Sequence, residues 1–213
     1  CGWGGFAELA AGKYRCNVTG LTLSNEQHAF ARERLLMQGL SDRTDIVLRD
    51  YRHEEGQYDK IVSIEMFEAV GEEHWPTYFE MIRKRLKPGG KAVLQIITID
   101  DDRFETYRRG ADFIQRYIFP GGMLPSPTAL SAAVNAAGLE LRHSEFFGKS
   151  YARTLAEWQR SFQHAWDGIA KQGFDLRFKR MWEYYLAYCE TGFDQGSIDV
   201  GLFVIEHREN AAG

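Results

Sequence analysis

The sequence predicts an α/β fold: a parallel sheet with helices on both faces and a helical insertion before the last strand. Strand-like apolar runs alternate with stretches of helical period, and the strands are apolar over both faces, as strands covered on both sides must be. The chain also opens on a glycine turn, Gly2-Trp3-Gly4-Gly5-Phe6-Ala7, that leads into a helix. A turn of this kind lets the backbone bend and approach a nucleotide-like ligand closely.

Taken in order, Asn17 to Leu23 reads as a strand that stops at Ser24-Asn25-Glu26-Gln27, where Ser24 and Gln27 have capping-box spacing for a helix start. Further strands follow at Asp45 to Arg49 and Asp59 to Ile64. Trp75, Tyr78, Phe79, Ile82 and Leu86 fall on one helical face. Lys87-Pro88-Gly89-Gly90 is expected to end that helix, with a glycine in the left-handed cap, before a strand from Lys91 to Ile99. The second half predicts helices near Asp112 to Ile118 and Thr128 to Ala137, and a strand over Leu139 to Phe147. Two long amphipathic helices across Thr154 to Tyr188 and a last strand, Asp199 to Glu206, complete the chain. No repeat or linker divides it, so one domain is expected over residues 1–213.

Composition narrows the function classes. With 213 residues, 44% hydrophobic and 26% charged, the chain can bury a core of its own. Its net charge of -4 argues against a nucleic-acid partner, which would require a concentrated basic face. The basic runs Arg83-Lys84-Arg85 and Arg177-Phe178-Lys179-Arg180 read as solvated helix faces and allow an anionic lipid surface. Cys1, Cys16 and Cys189 are widely spaced, which fits free thiols in a reducing compartment and suggests no metal site. With no bilayer-length apolar run and no secretory signal, the expected location is cytoplasmic.

The glycine turn alone would serve a nicotinamide cofactor, S-adenosylmethionine or a purely structural bend. Glu26 lies about twenty residues on, where a ribose-binding carboxylate would sit, and Gln27 divides between capping and ligand roles. Asp50-Tyr51, just past the strand Asp45 to Arg49, offers a carboxylate for an adenine amino group and a ring to cover its face.

Five motifs then occur in family order: Cys1-Gly2-Trp3-Gly4-Gly5, Gly20-Leu21-Thr22-Leu23-Ser24, Met66-Phe67-Glu68-Ala69-Val70-Gly71, Tyr117-Ile118-Phe119-Pro120-Gly121-Gly122 and Tyr151-Ala152-Arg153-Thr154-Leu155-Ala156-Glu157-Trp158. Across essentially its whole length the sequence resembles the cyclopropane fatty acid synthases, which act on unsaturated acyl chains of phospholipids with S-adenosylmethionine. The resemblance implies a Rossmann-like class I methyltransferase sheet. It places the cofactor on Gly2, Trp3, Gly4, Thr22, Leu23, Gln27, Asp50 and Tyr51. It also implies an unsaturated phospholipid substrate at the inner membrane face, and it allows a homodimer. By the same resemblance the chain starts past an N-terminal helical region, a Tyr-Ser-Cys motif and a first strand. Cys1 then belongs to the glycine loop and is not the family's active-site cysteine. The first strand is central in the order 3-2-1-4-5-7-6, so residues 1–213 alone are expected to be poorly soluble or partly unfolded.

The implied chemistry begins with attack of an alkene on an electrophilic methyl, which leaves a carbocation that aromatic faces can stabilise without trapping it. Ring closure needs a base, which the resemblance assigns to bound bicarbonate, with Glu68, Gln95 and Tyr151 around it. A carboxylate and a bicarbonate repel as bare anions, so either a proton lies between them or Glu68 carries a raised pKa. Gln95 stands in Leu94-Gln95-Ile96-Ile97, where many bacterial members have histidine, and Ala69 replaces another histidine. Glutamine can donate to an anion but takes up no proton near neutral pH. Plant-type members look similar at both positions, and the product stays open among cyclopropane, alkene and methyl branch. A methyltransferase for a soluble small molecule and a non-catalytic lipid-binding remnant are the competing readings.

Overall fold

The glycine turn does run into a helix. In the computed structural model, which describes residues 1–208, α1 spans Gly5–Tyr14 and is followed by β1 (Val18–Thr22), α2 (Asn25–Met37) and β2 (Thr44–Leu48). These belong to a first compact unit, residues 1–57. β1 and β2 pair in parallel, with Thr22 opposite Leu48, so the carboxyl ends of both strands lie at the same end of the pair. The core of the unit is small: Ala7, Ala31, Leu35 and Ile46 are buried, with Val18 and Leu40 against them. Gly4 is left-handed (φ 83°), and a Cβ there would lie 3.0 Å from that of Ala31, so only glycine lets the start of α1 approach α2 this closely.

Ser24 caps α2 by accepting from the Gln27 amide at 3.1 Å, but the reciprocal half of the expected capping box is absent. The Gln27 Oε1 accepts instead from the Thr22 hydroxyl (2.8 Å), and the Ser24 amide donates to that same hydroxyl oxygen (3.2 Å). Thr22, at the end of β1, thus takes the place that the capping box reserves for the Gln27 side chain.

The second unit begins at Tyr58. It contains β3 (Tyr58–Ile64), α3 (Trp75–Arg85), β4 (Leu86–Ile99), α4 (Asp101–Arg108), α5 (Phe113–Tyr117) and α6 (Pro127–Ala136), then β5 (Leu139–Phe146), α7 (Gly148–Ala170), α8 (Leu176–Asp194) and β6 (Ile198–His207). Its four strands run in the order β3-β4-β6-β5. The expected parallel pairing holds for β3 and β4, but β6 runs antiparallel to both β4 and β5. The cause is the helical insertion. One crossover helix would return the chain parallel, whereas the pair α7 and α8 brings it back to the end it left.

The end of α3 also differs. Leu86 is already extended and pairs with Tyr58, so β4 begins before the proline. Gly89 is left-handed (φ 72°) inside the register shift between β3 and β4, not at the helix cap. The predicted face of α3 is correct, with Trp75, Tyr78, Phe79, Ile82 and Leu86 all buried. Phe67 packs among Trp75, Tyr78 and Phe79 with ring centroids 5.0 to 5.2 Å apart, anchoring the segment after β3.

Candidate functional site

In the first unit the expected cofactor residues gather past the carboxyl ends of β1 and β2. Gly2 and Gly4 are both left-handed, and the first turn of α1 has no side-chain cap, which leaves bare backbone N–H groups beside a loop without side-chain bulk. Trp3 stands half exposed with its edge against Phe30 (5.3 Å). Thr22 and Gln27 are joined by their hydrogen bond, and Leu23 is 73% exposed, an apolar side chain with no core to fill. The Arg49 amide donates to the Thr22 carbonyl (3.0 Å), tying the two strand ends together. These features fit a cofactor with an amino-acid tail and a sugar.

Asp50 has a different setting from the expected one. Arg52 takes both of its oxygens, at 3.0 and 2.7 Å, and the Arg52 amide donates to it at 2.9 Å. The guanidinium holds the carboxyl down at about 2. An adenine amino group would therefore share Asp50 with Arg52. Tyr51, next along, begins the short turn that Asp50 caps.

In the second unit, Glu68, Gln95 and Tyr151 come from three elements. Glu68 lies in a short turn (Phe67–Ala69) held by the buried Phe67 and by the Met123 amide, which donates to the Glu68 carbonyl at 2.8 Å. Its Oε1 accepts from the Ile97 amide at 2.7 Å. Its Oε2 is buried with no hydrogen-bond partner among the described residues. Desolvation, opposed by the Ile97 amide, pushes the Glu68 pKa up to about 7. At and below that pH the carboxyl is protonated in large part and can then donate.

Gln95 sits on β4 opposite Ile64 of β3 and Leu202 of β6. Its Nε2 donates to the Tyr151 phenol at 2.7 Å. Tyr151 projects from the first turn of α7, whose start is fixed from β6: Asp199 Oδ1 accepts from the amides of Gly148 (2.8 Å) and Val200 (2.7 Å). Burial and a neighbouring carboxylate, Glu65, raise the Tyr151 pKa, so the phenol remains a donor. Glu65 is the residue that the sequence reading missed. Its Oε1 accepts from Gln95 Nε2 at 2.7 Å and also from the Tyr151 hydroxyl. The available signal was two carboxylates three residues apart just past a strand end.

Glu65, Glu68 and Tyr151 line a cavity of about 1360 Å³, larger than the roughly 300 to 1,000 Å³ typical of small-molecule pockets. Tyr107, Phe119, Trp158, Tyr185, Tyr188 and Phe193 contribute aromatic surface to its wall. Burial pushes the Cys189 thiol in the same wall up to about 12, so it is inert as a nucleophile.

Comparison with known proteins identifies the family and the fold. The family described as mycolic acid cyclopropane synthetase matches residues 1–203. Tuberculostearic acid methyltransferase UfaA1 of Mycobacterium tuberculosis is 42% identical over 200 residues, covering 93% of this chain and 47% of its own length. Cyclopropane-fatty-acyl-phospholipid synthase of Escherichia coli is 38% identical over 193 residues, covering 91% and 48%. The chain thus spans about half the length of the curated relatives it matches. The crystal structure of mycolic acid cyclopropane synthase CmaA1 complexed with SAH and CTAB superposes with a TM-score of 0.86 at 30% identity, covering 96% of this chain and 75% of that one. The fold is accordingly that of the class I S-adenosylmethionine-dependent methyltransferases, and the chain belongs to the mycolic acid cyclopropane synthetase family.

Proposed function

We propose that residues 1–213 act as one S-adenosylmethionine-dependent methyltransferase domain that methylates the double bond of an unsaturated fatty acyl chain of a phospholipid. The product is a cyclopropane, or a methyl-branched chain where a reducing partner supplies two hydrogens, and the substrate is drawn from the inner membrane face. The observation that carries this reading is that Glu68 and Tyr151, the latter hydrogen-bonded to Gln95, line a large aromatic cavity. A long acyl chain needs apolar volume more than polar anchors, and a cation within it needs aromatic faces. Among the described residues no helix is long and apolar enough to cross a membrane.

The cofactor, when bound, supplies the electrophilic methyl. Gly2, Trp3 and Gly4 would hold its amino-acid end, Thr22, Leu23 and Gln27 its ribose, and Asp50 and Tyr51 its base. In the reading carried by the resemblance, Glu68, Tyr151 and Gln95 would hold a bicarbonate that supplies the base. Excluding water from the aromatic cavity protects the cation from hydroxide capture.

The test is mass spectrometry of lipids from cells expressing the full reading frame that contains this chain, with and without labelled methionine. A labelled gain of one methylene equivalent supports a ring or an alkene, and two further hydrogens support a saturated methyl branch. Label confined to soluble metabolites would overturn the lipid reading.

A further inference from the structure

The donors that the site would offer to bicarbonate are already engaged. Gln95 Nε2 and the Tyr151 hydroxyl both donate to one oxygen of Glu65. Its other oxygen, Oε2, has no hydrogen-bond partner among the described residues, and Glu65 lines the cavity together with Glu68. We infer that Glu65 is the built-in base of this site, a carboxylate of the chain itself standing where an exchangeable bicarbonate would otherwise be held.

Three observations carry the inference. The first is the pair of hydrogen bonds, which orient the carboxylate and leave one oxygen open. The second is backbone geometry: Glu65 is left-handed (φ 49°), a conformation that costs any residue with a Cβ and is sparsely used outside glycine. Its amide donates to the Gln95 carbonyl at 2.9 Å, so the strained turn is fastened to the same residue whose side chain holds the carboxylate. Strain of this kind persists where surrounding contacts over-determine it, and here they deliver a carboxylate to a cavity. The third is chemical. Gln95 takes up no proton near neutral pH, whereas Glu65, held by Gln95 and Tyr151 through one oxygen, is a carboxylate whose other oxygen can accept one. A bicarbonate seated on the same donors would have to displace Glu65 and would be repelled by it.

The inference rests on the proposed alkene methylation. After methyl transfer, a C–H bond of the new methyl breaks and its proton goes to Glu65 Oε2. The bonding pair closes on the cationic carbon as the second C–C bond of a cyclopropane. Loss of the proton from a neighbouring carbon would leave an alkene instead. Glu65 then releases the proton to water, and the step needs no oxidant or reductant.

The experiment uses the full reading frame, vesicles of unsaturated phosphatidylethanolamine and phosphatidylglycerol, and labelled S-adenosylmethionine, in carbon-dioxide-free buffer and again with added bicarbonate. The wild-type protein is expected to turn over equally in both, within about twofold. Glu65→Gly removes the carboxylate and suits the left-handed backbone. It should lose about 10²- to 10⁴-fold in turnover without bicarbonate and regain at least about tenfold when bicarbonate or formate fills the vacated place. Glu65→Gln keeps the space filled and should lose turnover without rescue. Wild-type turnover that collapses without bicarbonate overturns the inference while sparing the proposed function. So does a Glu65→Gly protein as active as wild type in carbon-dioxide-free buffer. If the wild type makes no labelled lipid in either buffer, the proposed function fails and takes this inference with it. The wild-type arm decides the matter even if a variant does not fold.

Discussion

Glu68 ends its strand connection with one carboxyl oxygen on the Ile97 amide and the other facing no donor, and its pKa rises from 4.5 to about 7. Below pH 4.5 both folded and unfolded chains carry the proton, and the group is neutral toward stability. As pH rises, the unfolded chain ionises first and the folded chain follows only near 7. A penalty therefore grows between these values and is complete above them, on the order of 3 kcal/mol. Glu68→Gln should remove it: thermal midpoints of variant and wild type should coincide near pH 4.5 and diverge at pH 8, with the variant the more stable. The same variant should lose about 10²- to 10⁴-fold in turnover while cofactor affinity stays within about threefold, measured by kcat beside a cofactor titration. Equal losses in both would make Glu68 a binding residue. Glu68 and Tyr151 could be singled out from the sequence because each sits in a motif, and Gln95 because it stands where many bacterial members of the family have histidine. Glu65 was not, because its partners lie 30 and 86 residues away and only the fold brings them together.

At the scale of elements, α7 shows how a helix start is set from elsewhere. Phe147 precedes it without a side-chain cap, and Asp199 on β6 supplies the missing acceptor to the Gly148 amide. A Cβ on Gly148 would stand 2.5 Å from that same Asp199 oxygen. Gly148→Ala should therefore expel the carboxylate, destabilise the protein by about 1 to 3 kcal/mol in urea unfolding and displace Tyr151 one turn on. Turnover should fall further than stability alone explains, and turnover unchanged in a folded variant would show that α7 finds its place without this contact. Asp199 lies 51 residues from Gly148, so the sequence offered only the later apolar stripe, and the predicted helix began too late. α4 was missed for a different reason. Its sequence DDRFETYR buries Phe104 alone, so no apolar period marks it, and the signal that remains is Asp100, which caps it by accepting from the Asp102 amide. Strands and α3 were legible because burial on both faces, or on one, writes itself into the apolar pattern. The antiparallel run of β6 was not legible, although two helices were expected across Thr154 to Tyr188, because an apolar pattern does not carry the direction of a strand.

Across the molecule, the two units differ in what holds them together. Residues 1–57 rest on a two-stranded sheet and a core of Ala7, Ala31, Leu35 and Ile46, two of them alanines. A sheet of that size is marginal without further packing, and so small a buried set supplies little transfer free energy. The second unit has four strands and large buried side chains, among them Phe67, Phe79, Phe203 and Leu186. Amide hydrogen exchange in the full reading frame should therefore show faster opening across α1, β1, α2 and β2 than across β4 and β6. All eight expected cofactor residues lie in the first unit, so ligand binding should act there. At a hundred times its Kd, S-adenosylhomocysteine should stabilise the liganded form by about 2.7 kcal/mol, slowing exchange about a hundredfold in β1 and β2. Peptides from β5 that open without releasing ligand should be unaffected. Uniform protection without ligand would show that the two units open as one. Ligand-induced slowing confined to residues beyond 58 would move the cofactor site out of the glycine loop.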